Sequence, residues 1–389
     1  MVTLETADNA LKSFYLDAVT EALDMKTNPL LAKIQRSTAD VVGKDVRKFV
    51  KCGVNGGINA GSETGGLPKA SSGERLQFVA PLKNLYGTIE ISDKAIRASA
   101  NSEGAFVNLL NDEMQDLIKS ASFNFGRMLY GDGTGAIARI QRQEENILYV
   151  DNIAPFVEGM VVDISDYFSE ELIEAFVGIK IVKVDREKKC IHFEDENFHE
   201  YPNDLGYVYI NNSRDYEITG LGAIFNDKPL YGVDRKAGSI MNPYKKTNVG
   251  EINESVIQLA LDKIEESSGS QVNFIVCSWG VRRALINYFR TLGVAMPTLE
   301  FEGGFKALSF NGIPIVVDRF CPVGTMYFLN TDDFKLCQLC DWKWLEGEDG
   351  KILKQIPGKP VYTATLVKYA ELMCTRPNGQ GMLSGITEA

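Results

Sequence analysis

Apolar side chains at Phe106, Leu110, Met114, Leu117, Ala121, Phe125 and Met128 follow one another at intervals of three and four residues. That spacing lines them along one stripe and predicts an unbroken helix from about Glu103 to Tyr130, with Asn101 or Ser102 placed to cap its start and Gly131 to end it. At 1.5 Å per residue such a helix is about 40 Å long, enough to span a whole domain. A shorter amphipathic helix is expected over residues 8–24, carried by Leu11, Phe14, Tyr15, Ala18, Val19 and Leu23 and stopped by Asn28-Pro29.

Elsewhere the period is two. Residues 45–52 and 74–82 read as strands, with Leu76, Phe78, Ala80 and Leu82 in step. After Pro81 the phase shifts to Leu85, Ile89 and Ile91, which predicts a bulge or twist within one long strand. Residues 140–215 hold the short runs "GMVVDIS", "GIKIVKVD", "KKCIHFED" and "YVYINN", spaced as in a small barrel or sandwich, so this stretch reads as an all-β module inserted into a mixed chain. From Glu251 onward helix and strand alternate, through the capped helix "NESVIQLALDKIEESSG", the buried strand "NFIVCS", the helix "GVRRALINYFRTLG" and the strands "GIPIVVDRF", "GTMYFLN" and "FKLCQL". The last run, "VYTATLVKYAELMCTRP", reads as one long strand without a partner in its own neighbourhood.

The two early strands flank a segment that fits neither period. Residues 53–73 contain seven glycines and only three large apolar side chains, Val54, Ile58 and Leu67, and so build no core. Ordering a backbone costs about 1–2 kcal/mol per residue, so the segment needs a partner outside itself: a bound phosphate or another protein chain.

Composition narrows the choice. The chain has 389 residues, is 44% hydrophobic and carries a net charge of −11. Residues 144–215 hold 17 Asp/Glu against 6 Lys/Arg, so the remaining 35 acids and 35 bases cancel and one acidic module carries the whole net charge. A neutral body argues against a dedicated DNA reader, which needs a basic face. The locally basic stretch Lys26–Lys51 fits pairing with acidic neighbours or simple solvation. No apolar run approaches the roughly 20 residues of a membrane helix, and the first residues lack a signal-peptide pattern, so assembly in the cytoplasm is expected. Seven scattered cysteines fit reduced, buried thiols.

Candidate chemistry is thin. Gly61 and Gly66 have the first spacing of a phosphate loop, but Leu67-Pro68 stand where Lys-Ser/Thr is required. "GDGTG" follows a helix, whereas the dinucleotide fingerprint follows a strand. The two histidines, His192 and His199, lie in the acidic module; with Cys190, Glu194 and Asp195 they match no zinc spacing. Cys337 and Cys340 form a C-x-x-C on a strand, where an offset of three points to opposite faces, so they read as structural thiols. No catalytic residue, cofactor or metal is therefore expected.

The order of parts resembles the major capsid protein of tailed bacteriophages, the Hong Kong 97-type fold that encapsulins share. The resemblance runs through "TNPLLAKIQRSTADVVGKDVRKF" as an N-terminal arm, "CGVNGGINAGSETGGLPKASSGERLQF" as an extended loop, "LYGTIEISDKAIRAS" leading into the long helix and "FGRMLYGDGTG", with "NFIVCSWGVRRALINYF" and "FNGIPIVVDRFCPVGTMYFLN" similar to the axial domain. It implies an α+β capsid fold divided into an arm (1–44), an extended β-hairpin (45–84), a peripheral domain with a spine helix (85–139), the inserted acidic β domain (140–215), a peripheral return (216–250), an axial domain (251–340) and a C-terminal peripheral strand (341–389).

It also implies inter-subunit contacts from the loop tip, Gly61, Gly65, Gly66, Leu67, Pro68 and Lys69, and from the arm, Leu30, Leu31, Ile34 and Arg36. The partners implied are the chain itself, as hexamers and pentamers of an icosahedral shell, with packaged double-stranded DNA bound without sequence preference, a separate scaffolding protein and portal, and a decoration protein; there is no membrane. Such a protein is a component of the virion. Lys69 and Lys83 lie where some relatives cross-link, but no acidic catalyst is assignable and non-covalent assembly is expected. Two alternatives stay open at this stage, an encapsulin-like compartment and an enzyme using the glycine-rich segment as a lid.

Overall fold

The computed structural model describes residues 28–95, 103–166, 172–194, 205–293, 298–301, 305–347 and 350–389; the helix expected over 8–24 lies outside them. Strands β1 to β21 and helices α1 to α5 are numbered below in chain order.

The hub of the molecule is strand β20, Val361–Cys374, 14 residues long and buried on both faces in its second half. Far from being unpaired, it is hydrogen-bonded along both edges. Strand β5, Lys83–Ser92, runs antiparallel along one edge from Ala370↔Lys83 to Val361↔Ser92. Strands β18 (Phe334–Trp344) and β19 (Lys354–Gln355) share the other. Its partners lie far away in the chain, so local pattern alone could not show them. Strand β1, Gln35–Ser37, extends this sheet by pairing parallel to β18.

Helix α2, Glu103–Met128, packs its apolar stripe against this sheet, burying Met114, Ile118, Phe125 and Met128. The fit is close: a Cβ at Gly87 of β5 would lie 2.9 Å from Leu117 Cδ1. A Cβ at Gly126 would collide with the side chain of Asn28, whose amide donates to Ser122 O at 3.2 Å. That contact lays the residues just before α1 (Pro29–Lys33) on the helix.

The phase change after Pro81 has a different cause from a bulge. β4 (Arg75–Pro81) ends there, and β5 begins at Lys83 in another sheet. β4 pairs with β3 (Asp45–Lys51), which in turn pairs with β2 (Val41–Val42). Leu82 is the hinge, its N–H donating to Lys44 O at 2.9 Å.

Strands β6 (Ala136–Glu144), β7 (Ile147–Val150), β8 (Val161–Asp166), β9 (Ile179–Asp185), β10 (Cys190–Phe193) and β11 (Leu205–Ile210) close into a barrel in the order β10-β7-β6-β11-β8-β9. It has its own core, including Leu148, Phe156, Ile164, Phe193 and Val208. Chain entry and exit adjoin, since Asp215 N–H donates to Thr134 O at 2.8 Å. Asp163 pins the exit by accepting from Asn211 Nδ2 (2.7 Å) and Asn212 N (2.8 Å). Helix α3, Leu221–Phe225, follows and is buried against the body.

The remaining sheet has seven strands in the order β12-β21-β17-β13-β16-β15-β14. These are β12 (Tyr244–Lys246), β13 (Phe274–Cys277), β14 (Thr298–Phe301), β15 (Phe305–Phe310), β16 (Ile313–Val317), β17 (Met326–Leu329) and β21 (Gly381–Leu383). Phe274 and Val276 of β13 join the main core, whereas Ile275 and Cys277 join a second core under helices α4 (Glu254–Ser268) and α5 (Trp279–Thr291). Both helices are capped, α4 as its sequence predicts, by Asn253 and Ser278 accepting from the N–H of Val256 and Val281.

Sheet membership does not follow the boundaries read from the sequence at 250/251 and 340/341. β12 and β21, from the segments expected to be peripheral, extend the seven-stranded sheet, and β18 begins within the expected axial segment yet belongs to the β20 sheet. Three-residue strands carry too little periodicity to be assigned from sequence.

Candidate assembly interface

β3 and β4 form a hairpin in register from Asp45↔Pro81 to Lys51↔Arg75. Alternation gives it two unlike faces. Val46, Val50, Phe78 and Ala80 are buried in the main core, while Arg47, Phe49 and Lys51 face outward, Phe49 with 69% of its surface exposed.

Beyond Lys51 and Arg75 the chain leaves the sheet, and residues 53–73 contain neither helix nor strand. Gly65 N–H bonds to Ser62 O (2.9 Å) and Gly57 N–H to Asn55 Oδ1 (2.8 Å), both within the loop itself. Val54, Ile58 and Leu67 are 91%, 84% and 94% exposed. Of the tip residues singled out from sequence, Gly61, Gly65, Gly66, Leu67 and Lys69 are exposed and Pro68 is half-buried. Three large apolar side chains, each worth about 1.5–3 kcal/mol when fully buried, therefore find no cover among the described residues of their own chain.

The N-terminal segment behaves otherwise. Leu30, Leu31 and Ile34 are 0%, 4% and 5% exposed and belong to the main core. Side chains so covered by their own chain have little surface of their own to offer a neighbour. The segment is anchored on either side of them by positions far away in sequence, Asn28 on Ser122 and Gln35–Ser37 on β18. Arg36 is half-exposed and bonds to Asp341 Oδ2 at 2.6 Å. Asp341 Oδ1 accepts from Lys368 Nζ at 2.5 Å, and Lys368 also donates to Gln338 Oε1 at 2.9 Å. Burial lowers the Lys368 pKa despite Asp341, and the rings of Phe125 and Trp342 lie 5.4 and 5.9 Å from its ammonium. Burial also works to raise the Asp341 pKa, but Lys368 prevails and holds it below the usual carboxylate range.

A buried ion pair and a separate buried carboxyl group also lie inside the body. Arg127 of α2 forms a buried ion pair with Glu217 and donates to Asn124 Oδ1. Glu371 of β20 has no exposed surface; its Oε1 accepts from Thr219 N (2.7 Å) and Leu372 N (3.0 Å), while Oε2 has no partner among the described residues. Burial raises its pKa from 4.5 to about 7, the Thr219 N–H bond and Lys83 opposing that rise. Neither group carried a signal in the sequence, because their burial depends on strands brought together from distant segments.

The buried thiols Cys277 and Cys337 are not activated. Burial raises Cys277 to about 12 and Cys337 to about 11, the opposite of what a nucleophile needs. Cys337 is buried and Cys340 half-buried, with a register shift of β18 beginning between them at Gln338. His192 sits on β10 beside Cys190, 3.7 Å from its Sγ. His199 and Asp195 lie outside the described residues. Among the described residues no group of three or more His, Cys, Asp or Glu is arranged to hold a metal ion, and no helix is long and apolar enough to cross a membrane.

No family model matches this sequence, and no curated protein sequence does. Solved structures do. The capsid asymmetric unit of cyanophage A-1(L) aligns over 93% of this chain and 93% of its own, with a TM-score of 0.55 at 11% identity. The fold is that of a phage capsid protein. The capsid of a native GTA particle aligns over 91% of this chain and 92% of its own (TM-score 0.47, 11% identity). The SrpI encapsulin of Synechococcus elongatus PCC 7942 aligns over 81% and 78% (TM-score 0.42, 9% identity). At such identities the likeness is one of chain path rather than of side chains, so functional residues must be argued from this chain alone.

Proposed function

We propose that this chain is a phage major capsid protein, copies of which assemble into the hexamers and pentamers of an icosahedral head enclosing double-stranded DNA. The observation that carries the reading is the 53–73 loop: a glycine-rich segment with Val54, Ile58 and Leu67 bare to solvent, held out on a hairpin whose base is built into the core. Such a loop is explained by a neighbouring copy that supplies the apolar cover and hydrogen-bond partners it lacks. In this reading α2 is the spine, the β20 sheet the peripheral domain, the seven-stranded sheet the axial domain and the barrel an outward-facing insertion. The arrangement is Hong Kong 97-type, and the work is mechanical. Repeated contacts, each modest, add up around a closed shell. Scaffold, portal and decoration proteins are separate chains, and the virion is where the protein resides.

Deletion of Gly61–Lys69 tests this. The reading expects a folded subunit that no longer forms large particles in sedimentation; intact shells after that deletion would contradict it. Nucleic acid rather than protein cargo inside particles separates the phage head from an encapsulin-like compartment.

A further inference from the structure

The sequence holds three Asn-Gly pairs, Asn55-Gly56, Asn311-Gly312 and Asn378-Gly379. In such a pair the backbone nitrogen of the glycine can attack the side-chain carbonyl carbon of the asparagine, because glycine places no side chain in the way and lets the backbone turn inward. Ring closure needs a free glycine N–H, a backbone able to rearrange and an asparagine amide open to water. The fold distributes these conditions unequally.

Asn378-Gly379 has none of them. It lies in the helical turn Pro377–Gly379 with Asn378 buried, the Asn378 amide donates to Ser267 O at 3.4 Å, and the Gly379 N–H donates to Arg376 O at 3.0 Å. Asn311-Gly312 is exposed but fixed. The pair forms the turn between β15 and β16, closed by the pairing Phe310↔Ile313, with φ of 50° and 79°, and Asn311 Nδ2 donates to Gln258 Oε1 at 2.8 Å.

Asn55-Gly56 meets every condition. Both residues are exposed and lie outside any helix or strand. Among the described residues no hydrogen bond engages the Gly56 N–H. Asn55 Oδ1 accepts from Gly57 N–H at 2.8 Å, so a donor already sits on the oxygen that becomes negative when its carbon is attacked.

We propose that Asn55 is a site of spontaneous deamidation, open for as long as the loop is uncovered. The Gly56 nitrogen bonds to Asn55 Cγ and gives up its proton, the side-chain nitrogen leaves as ammonia, and water opens the resulting cyclic imide to aspartate or isoaspartate. Each event adds a negative charge to the loop, and isoaspartate also lengthens its main chain by a methylene. A copy that waits outside a particle is therefore altered at Asn55, whereas a copy whose loop is covered keeps its amide. This last step rests on the proposed self-assembly.

The test incubates the full chain at mildly alkaline pH, as dissociated subunit and as assembled particles, and follows the Asn, Asp and isoAsp forms of each Asn-Gly peptide by chromatography and mass spectrometry. In the dissociated subunit Asn55 is expected to convert at least about tenfold faster than Asn311 and Asn378, which react only after local opening. Equal or slower conversion at Asn55 would overturn the site. Gly56→Ala, whose Cβ would lie an ordinary 3.4 Å from Ser71 Oγ, is expected to slow the conversion about tenfold by shielding the attacking nitrogen and restricting the backbone; an unchanged rate would overturn the mechanism. In particles the conversion at Asn55 is expected to slow as well. An unchanged rate inside intact particles would count against cover of the loop by a neighbour and leave the deamidation site standing.

Discussion

Lys368 Nζ lies 2.5 Å from Asp341 Oδ1 on the adjacent strand, and Asp341 Oδ2 in turn holds Arg36 at 2.6 Å. One carboxylate thus ties the N-terminal segment to a buried cation at the hub of the molecule. The arrangement is lopsided, because the Lys368 side chain is 2% exposed and that of Asp341 36%.

Removing the carboxylate should therefore hurt more than removing the lysine. Asp341→Ala leaves an ammonium buried among Phe125 and Trp342 with only Gln338 to satisfy it. Loss of one partner of a buried pair typically costs 3–5 kcal/mol, and the partial exposure of Asp341 puts the expected loss near the lower end, about 3 kcal/mol. Lys368→Met leaves a carboxylate that water and Arg36 can reach, and should cost clearly less. Urea unfolding of the two variants gives the order, and equal losses would contradict it.

Glu371 predicts a pH dependence of opposite sense to that of an ordinary carboxylate. Its folded pKa is raised from 4.5 to about 7 by burial, so the folded state holds the proton more tightly than the unfolded chain does. The resulting stabilisation is full below about pH 4.5 and is lost as pH rises through 7. Glu371→Gln mimics the protonated form at every pH and keeps an oxygen for the N–H of Thr219 and Leu372. It should be more stable than wild type at pH 8 by on the order of 3 kcal/mol, the gap narrowing towards pH 5. Thermal denaturation at the two values checks this, and a gap that widens in acid would refute it.

The barrel should be separable. Its core is its own, and Thr134 and Asp215 are joined by a 2.8 Å backbone bond, so a short Gly-Ser linker can replace residues 135–214 without stretching the chain. The excised protein is expected to keep a cooperative unfolding transition, measured by circular dichroism. Loss of that transition would mean that the body depends on the barrel to fold.

How much of this was legible beforehand follows from the range of each signal. The α2 stripe, the capped α4 and the bare loop are local patterns, and each was readable within a window of some twenty residues. The phase change at Pro81 was visible, but its cause was not: a bulge and a move to a second sheet shift the alternation alike. The N-terminal segment is held by Asn28 on Ser122 and by β1 on β18, and the partners of β20 lie as far back as β5, distances over which periodicity carries no information.

The central claim is that residues 53–73 take their order from a sister molecule, and hydrogen–deuterium exchange of the same preparation before and after assembly tests it most directly. Amides of 53–73 are expected to exchange freely in the dissociated subunit, where most have no partner, and to become protected in the particle. Equal protection in the two states, or free exchange within intact shells, would contradict the account.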